Sequence, residues 1–143
     1  MVVAIEKYLD TYRQTQSGLT VSFHYDGDIS RVSRPIALFC YRMVQEGLTN
    51  IARHAQAHTV TIGLHVLPSK LTLSVRDDGI GFSANRAERA RLNNHLGLVS
   101  MRERADVLNG TFAIDSHPGE GTTLTISLPL YLSEEEEHEH SLG

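Results

Sequence analysis

The sequence predicts an α+β fold: a two-layer α/β sandwich whose mixed, mostly antiparallel sheet is covered on one face by helices. Five short segments alternate apolar and polar residues, the mark of strands with one buried and one wet face. Three longer segments repeat apolar residues at helical spacing, so each carries a stripe that must be covered. The chain has 143 residues, of which 41% are hydrophobic, enough for one packed core.

The first helix is expected over Ala4 to Gln16, with Ile5, Tyr8, Leu9 and Tyr12 on one face, ended by Ser17-Gly18. Leu19, Val21, Phe23 and Tyr25 alternate as a half-buried strand, and Gly27-Asp28 turns the chain. Pro35 suits the first turn of a second helix, expected over Ile36 to Ala55. Ala37, Cys40, Tyr41, Val44, Leu48 and Ile51 form its core stripe. Phe39, Met43, Glu46, Asn50, Arg53 and His54 fall on a different side, partly apolar and ending in hydrogen-bonding groups. Val60, Ile62, Leu64 and Val66 make a strand, Pro68-Ser69 a turn, and Leu71, Leu73 and Val75 the next strand. Ser83 to His95 is rich in Arg and Asn and poor in apolar groups, so it is expected to move. Leu98, Met101, Ala105 and Leu108 mark a third helix, closed by Asn109-Gly110. Phe112 and Ile114, then Leu124, Ile126 and Leu128, make two strands joined at Gly119-Glu120-Gly121. Three regions result: a helical segment at 1–17, a core domain at 18–132 and an acidic, disordered tail at 133–143.

Bulk properties exclude several classes. A net charge of −4 offers no general attraction to nucleic acid. No apolar run approaches the ~20 residues of a membrane span, and no signal segment opens the chain, so the domain is expected in the cytoplasm. A single cysteine, Cys40, forbids an internal disulfide and reads as a small buried hydrophobe. The eight histidines are scattered without metal-ligand spacing. Neither a GxxxxGK[ST] phosphate loop nor a Rossmann fingerprint occurs.

Three places carry polar groups where a plain fold would not put them. Asp77 is in phase with Leu71, Leu73 and Val75, so it points at the buried face, while Asp78 points away. A buried carboxylate needs hydrogen bonds, and Gly79 and Gly81 follow, where backbone can approach a flat ligand. Asp77 could accept from a base such as adenine, or be satisfied by loop amides. Glu46 and Asn50 lie four apart on one helix face, with Arg53 and His54 a turn further. That column suits a metal-nucleotide, but it also suits an ordinary polar helix face. Gly97 opens the third helix, where free amides can face an anion; Gly121-Thr122 could be no more than a hairpin turn.

Taken together the segments resemble the ATP-binding catalytic domain of bacterial two-component sensor histidine kinases. QEGLTNIARHA (Gln45 to Ala55) resembles their asparagine box, and DDGIGF (Asp77 to Phe82) their first glycine box. HLGLVSMRERA (His95 to Ala105) resembles the second glycine box, and GEGTTLTISLP (Gly119 to Pro129) the closing block. The MRERA wording is typical of the nitrate-sensor type, whose partners are helix-turn-helix response regulators. The resemblance implies the Bergerat ATP-binding fold shared with gyrase and Hsp90, with ATP and Mg2+ as ligands. It implies that Asp77 contacts the adenine amino group with support from Thr122, and that Asn50 binds Mg2+. It implies that Glu46 activates the accepting histidine and that Arg53 and His54 lie near the phosphates. Gly79, Gly81, Gly97, Leu98 and Gly121 would shape the cavity, with Ser83 to His95 as its lid. Two positions depart from the family pattern, His95 and Ser100, where many relatives have glycine.

The accepting histidine of this family sits in a helix beside an acidic residue, and none of the eight histidines has that setting. The phosphoacceptor and dimerisation hairpin is therefore expected outside this chain, in a homodimeric parent. Whether that parent sits in a membrane, and whether this fragment is monomeric, stay open. The alternative is a nucleotide-binding or ATPase module of the same fold without histidine kinase activity.

Overall fold

The computed structural model describes residues 1–15, 18–52, 56–82 and 98–130. The expected mobile stretch Ser83 to His95 and the tail at 133–143 lie outside them. Helix α1 spans Val2–Thr15 and buries Ile5, Leu9 and Tyr12, the spacing that the sequence offers. The Tyr12 hydroxyl donates to Leu48 O at 3.1 Å, and the Arg13 guanidinium donates to Val21 O at 2.7 Å. Those two bonds fasten the last turn of α1 to its neighbours in the fold. Strand β1 (Thr20–Gly27) buries Val21 but leaves Tyr25 half-exposed, because it lies at the sheet edge and cover runs out along it.

Helix α2 spans Arg34–Asn50, with Ser33 as its N-cap and Pro35 in its first turn. Its core face is wider than the expected stripe. Phe39, Met43 and Gly47 are buried along with Cys40, Val44 and Leu48, whereas Ala37 and Tyr41 are only partly covered. The helix meets two surfaces at once. Tyr41 packs edge-on against Tyr8 of α1 at 6.0 Å, and Gly47 sits against β3, where a β-carbon would lie 3.4 Å from Val75. Phe39 and Met43 thus belong to the core, and only the last turns of that side remain for chemistry. Cys40 is fully buried, and burial pushes its thiol up to about 12, so it behaves as the expected hydrophobe.

Strands β2 (Thr59–Val66) and β3 (Lys70–Asp77) bury Val60, Ile62, Leu64, Val66, Leu71, Leu73 and Val75. Helix α3 (Leu98–Val107) buries Leu98, Met101 and Ala105. It stops where Asn109 turns to φ 58° and the Gly110 amide donates back to Ala105 O at 2.8 Å, the six-to-one closure of a Schellman end. Strands β4 (Thr111–His117) and β5 (Gly121–Pro129) follow. The described strands form one sheet in the order β1-β2-β3-β5-β4, with β1 parallel to β2 and every other pair antiparallel. The expected mixed sheet with one covered face is the observed one. No described helix is long and apolar enough to cross a membrane.

Candidate functional site

One cross-strand row of the covered face changes character halfway across the sheet. Register aligns Val21, Val60, Asp77, Thr122 and Ser116 on neighbouring strands. The β1 and β2 members are apolar and buried in the core. The β3, β5 and β4 members are polar and face the same layer, which is where a polar ligand can be read.

Asp77 closes β3 and is 5% exposed, pointing inward as its phase requires. It accepts from the Gly79 amide at 2.8 Å, and the Thr122 amide adds a second backbone hydrogen bond. Burial pushes its carboxyl above the ordinary aspartate value; those two amides pull it back, and Asp78 pushes it further up. A carboxylate has about four lone-pair sites. Two amides hold Asp77 in place and do not exhaust its acceptor capacity. Asp78 is exposed and does a different job. It accepts from the His58 and Thr59 amides at 2.8 and 2.9 Å, which fixes the start of β2 and draws its own carboxyl below the usual range.

The glycine loop is interlocked with the β4–β5 turn. Gly81 has φ 63°, and a β-carbon there would meet His117 O at 2.1 Å; Gly121 has φ 80°, and one there would meet Asp77 O at 2.1 Å. Both positions require glycine on two counts, left-handed backbone and close approach. Ser116 ties the pieces together. Its hydroxyl accepts from the Phe82 amide at 2.9 Å, lies 3.1 Å from Gly121 O, and is 2.7 Å from the Thr122 hydroxyl. Sequence reasoning missed Ser116. Its signal was available: it is in phase with Phe112 and Ile114, a polar residue at a core position, as Asp77 is.

Glu46 and Asn50 stand one turn apart near the end of α2, Glu46 exposed and Asn50 half-buried. Gly47 packs on Val75, two residues before Asp77, so this end of α2 is brought to the Asp77 end of the sheet. Leu98, the first described residue of α3, is buried. Gly79 is buried beside Asp77. Arg53, His54 and Gly97 lie outside the described residues. Among the described residues no three His, Cys, Asp or Glu side chains cluster to hold a metal. An open groove of about 540 Å³, lined by Arg76, Asp115, His117, Glu120, Gly121 and Thr123, lies on the wet face. Arg76, Asp115 and Thr123 are out of phase with Asp77, so this groove is separate from the site.

Residues 36–132 match the family described as Histidine kinase-, DNA gyrase B-, and HSP90-like ATPase. The chain is 31% identical over 134 residues to the signal transduction histidine-protein kinase/phosphatase DegS of Brevibacillus brevis, covering 94% of this chain and 33% of that protein. It is 31% identical over 135 residues to the sensor histidine kinase LiaS of Bacillus subtilis, covering 94% and 36%. The chain thus spans about a third of the length of these relatives. Among solved structures it resembles the histidine kinase domain of the Erythrobacter litoralis blue-light activated histidine kinase EL346. That match has a TM-score of 0.68 at 21% identity, over 88% of this chain and 59% of that one. It also resembles the mycobacterial sensor histidine kinase MprB, with a TM-score of 0.64 at 21% identity over 90% and 93%. With the matched segment running from α2 through the last strand, the chain belongs to the histidine kinase-, DNA gyrase B- and HSP90-like ATPase family, as an ATP-binding catalytic domain of the sensor histidine kinase kind.

Proposed function

We propose that this chain binds ATP with Mg2+ and delivers the γ-phosphate to a histidine on the dimerisation hairpin of its receptor, for relay to a helix-turn-helix response regulator. The observation that carries the reading is Asp77: a buried carboxylate, positioned by two amides, with acceptor capacity left beside a glycine loop. Such a group selects a base that offers an amino group, as adenine does. Gly79, Gly81 and Gly121 let backbone come close to the flat base, and Leu98 adds an apolar wall. Asn50 supplies one amide oxygen, which suits Mg2+, a hard cation that keeps most of its waters and takes its other ligands from phosphates. Mg2+ would supply charge neutralisation at the phosphates; Arg53 and His54 are assigned to the same end.

Glu46 is assigned the proton. It is exposed and so reachable from another helix. In transfer the histidine nitrogen attacks the γ-phosphorus, the bond to the bridging oxygen breaks, and ADP leaves. Glu46 accepts the imidazole proton as the nitrogen becomes bonded to phosphorus.

The test mixes the chain with radiolabelled ATP, Mg2+ and a separately made phosphoacceptor hairpin. Label should appear on the hairpin as acid-labile, alkali-stable phosphate. Tight nucleotide binding with no transfer would leave only a binding module of the same fold.

A further inference from the structure

Strand β1 lies at one edge of the sheet and pairs only with β2 among the described strands. In a strand the amide and carbonyl of one residue point to the same side, and the side alternates along the chain. The Thr20 amide donates to His58 O at 2.9 Å, on the β2 side. Thr20, Ser22, His24 and Asp26 therefore turn their backbone groups to β2, and Val21, Phe23, Tyr25 and Gly27 turn theirs outward. Val21 O agrees with that phase, since it takes the Arg13 guanidinium at 2.7 Å. Arg13 thus closes the start of the outer edge, and a 3-10 turn at Ile29–Arg31 follows its far end. Between them, Phe23, Tyr25 and Gly27 have no backbone partner on the outer side among the described residues. Sheet edges are commonly blunted by lysine or proline, and β1 contains neither.

We propose that the outer edge of β1 is a self-association surface, at which two copies of this chain pair antiparallel about Tyr25 and continue one sheet into the next. In that register Tyr25 lies opposite its own copy, and, twice by symmetry, Phe23 lies opposite Gly27 and His24 opposite Asp26. The free stretch is then used from end to end, because it is centred on Tyr25. On the wet face each exposed His24 meets Asp26 of the other copy. Asp26 gives its Oδ2 to His65 at 2.9 Å and keeps its second oxygen for that contact. On the other face the Phe23 and Tyr25 rings, 5.6 Å apart, join their copies in an aromatic row. That row covers Tyr25, now 49% exposed, and Gly27 leaves room for the Phe23 ring across from it. A register centred on His24 fits worse. It sets His24 against His24, and Gly27 against Val21, whose carbonyl Arg13 already holds. This complementarity of the edge with itself is what selects a second copy as its occupant. The proposal does not depend on the nucleotide reading, since β1 carries none of the site residues.

The experiment is sedimentation equilibrium on the whole chain from about 10 μM to about 1 mM, the range suited to an interface this small. Wild type should pass from monomer to dimer within it. Proline is tolerated on an edge strand where its missing N–H would face outward, so Tyr25→Pro should keep the monomer fold. It removes the central amide and should raise the dissociation constant roughly tenfold or more. Exposed His24 gives a second, milder test of the register. His24→Glu faces Asp26 with a like charge and should weaken the dimer roughly two- to tenfold, whereas His24→Lys should hold or strengthen it. Nucleotide affinity should be the same in all these variants. A Tyr25→Pro chain that folds and dimerises as wild type does overturns the proposal. If Tyr25→Pro does not fold, equal dimerisation of His24→Glu and His24→Lys overturns it. A wild type that stays monomeric throughout also overturns it, and leaves the edge to a strand from another protein.

Discussion

Asp77 answers to two demands that pull in opposite directions. Burial disfavours its charge, while its proposed ligand needs that charge as an acceptor. Asp77→Asn keeps an oxygen for the Gly79 amide but turns the other side into a donor facing the adenine amino group. Losing a hydrogen bond to a charged group costs ~1.5–3 kcal/mol, so ADP affinity should fall roughly tenfold to a hundredfold in calorimetry. Asp78→Asn is the control; it keeps an acceptor for His58 and Thr59 and should bind normally. Stability should move the other way. The folded pKa of Asp77 lies above the ordinary 3.8, so the folded chain holds this proton to a higher pH than the unfolded one. The resulting stabilisation is complete below 3.8 and is lost as pH rises through the folded value. Relative to Asp77→Asn, the unliganded wild type should therefore lose thermal stability as pH is raised from 3.8 to neutrality. A relative gain would mean that the amides outweigh burial. The sequence disclosed this residue because period-2 phase is a strict rule. Loop amides were one option the sequence offered; which of them serve was hidden, because loop conformation does not follow from phase.

At the level of elements, strand alternation was legible and helix faces were less so. The strands keep the expected inward residues almost throughout, since a slip of one residue would expose a whole face. Helix α2 was read with too narrow a face, because a helix wedged between a sheet and another helix buries two flanks. That leaves Glu46 and Asn50 as the polar end of a mostly buried side, and they should fail differently. Asn50→Ala should weaken Mg2+-dependent nucleotide binding. Glu46→Gln should leave ATP affinity nearly unchanged while slowing transfer to an added hairpin by roughly a hundredfold or more, the scale of general-base catalysis. Proportional losses of rate and affinity would make Glu46 a binding residue. The β4–β5 turn offers a purely structural contrast. Gly119 and Gly121 share left-handed backbone, at φ 79° and 80°, but only Gly121 has Asp77 backbone pressed against it. Gly119→Ala should cost about 1 kcal/mol of strain in urea unfolding, and Gly121→Ala clearly more, with loss of nucleotide binding.

Across the whole molecule, one row of the covered face is divided: its β1 and β2 members, Val21 and Val60, are apolar, and its β3, β5 and β4 members, Asp77, Thr122 and Ser116, are the polar half proposed to meet a ligand. The histidines are distributed without regard to that site. Among the described residues, His24 and His65 lie on the outward phase of β1 and β2, opposite the Asp77 face. His65 is paired with Asp26 at 2.9 Å, and His117 with Asp115 at 3.1 Å on the wet side. His58 precedes β2, where its amide is held by Asp78. None of these four is on a helix, whereas the accepting histidine of this family sits on one and must reach the γ-phosphate in line. His54, His95, His138 and His140 lie outside the described residues; His54 and His95 have no acidic neighbour, and His138 and His140, beside Glu137 and Glu139, fall in the tail that the sequence reads as disordered rather than in a helix. The purified chain should therefore bind ATP yet take up no label itself, and label should appear only when a phosphoacceptor hairpin is added. Quenching in alkaline denaturant after incubation with radiolabelled ATP and Mg2+, an acid-treated aliquot for comparison, and mass mapping at alkaline pH measure this directly. Stoichiometric alkali-stable phosphate on any histidine of the chain alone would contradict it, and would relocate the acceptor into the domain assigned here to donate the phosphate.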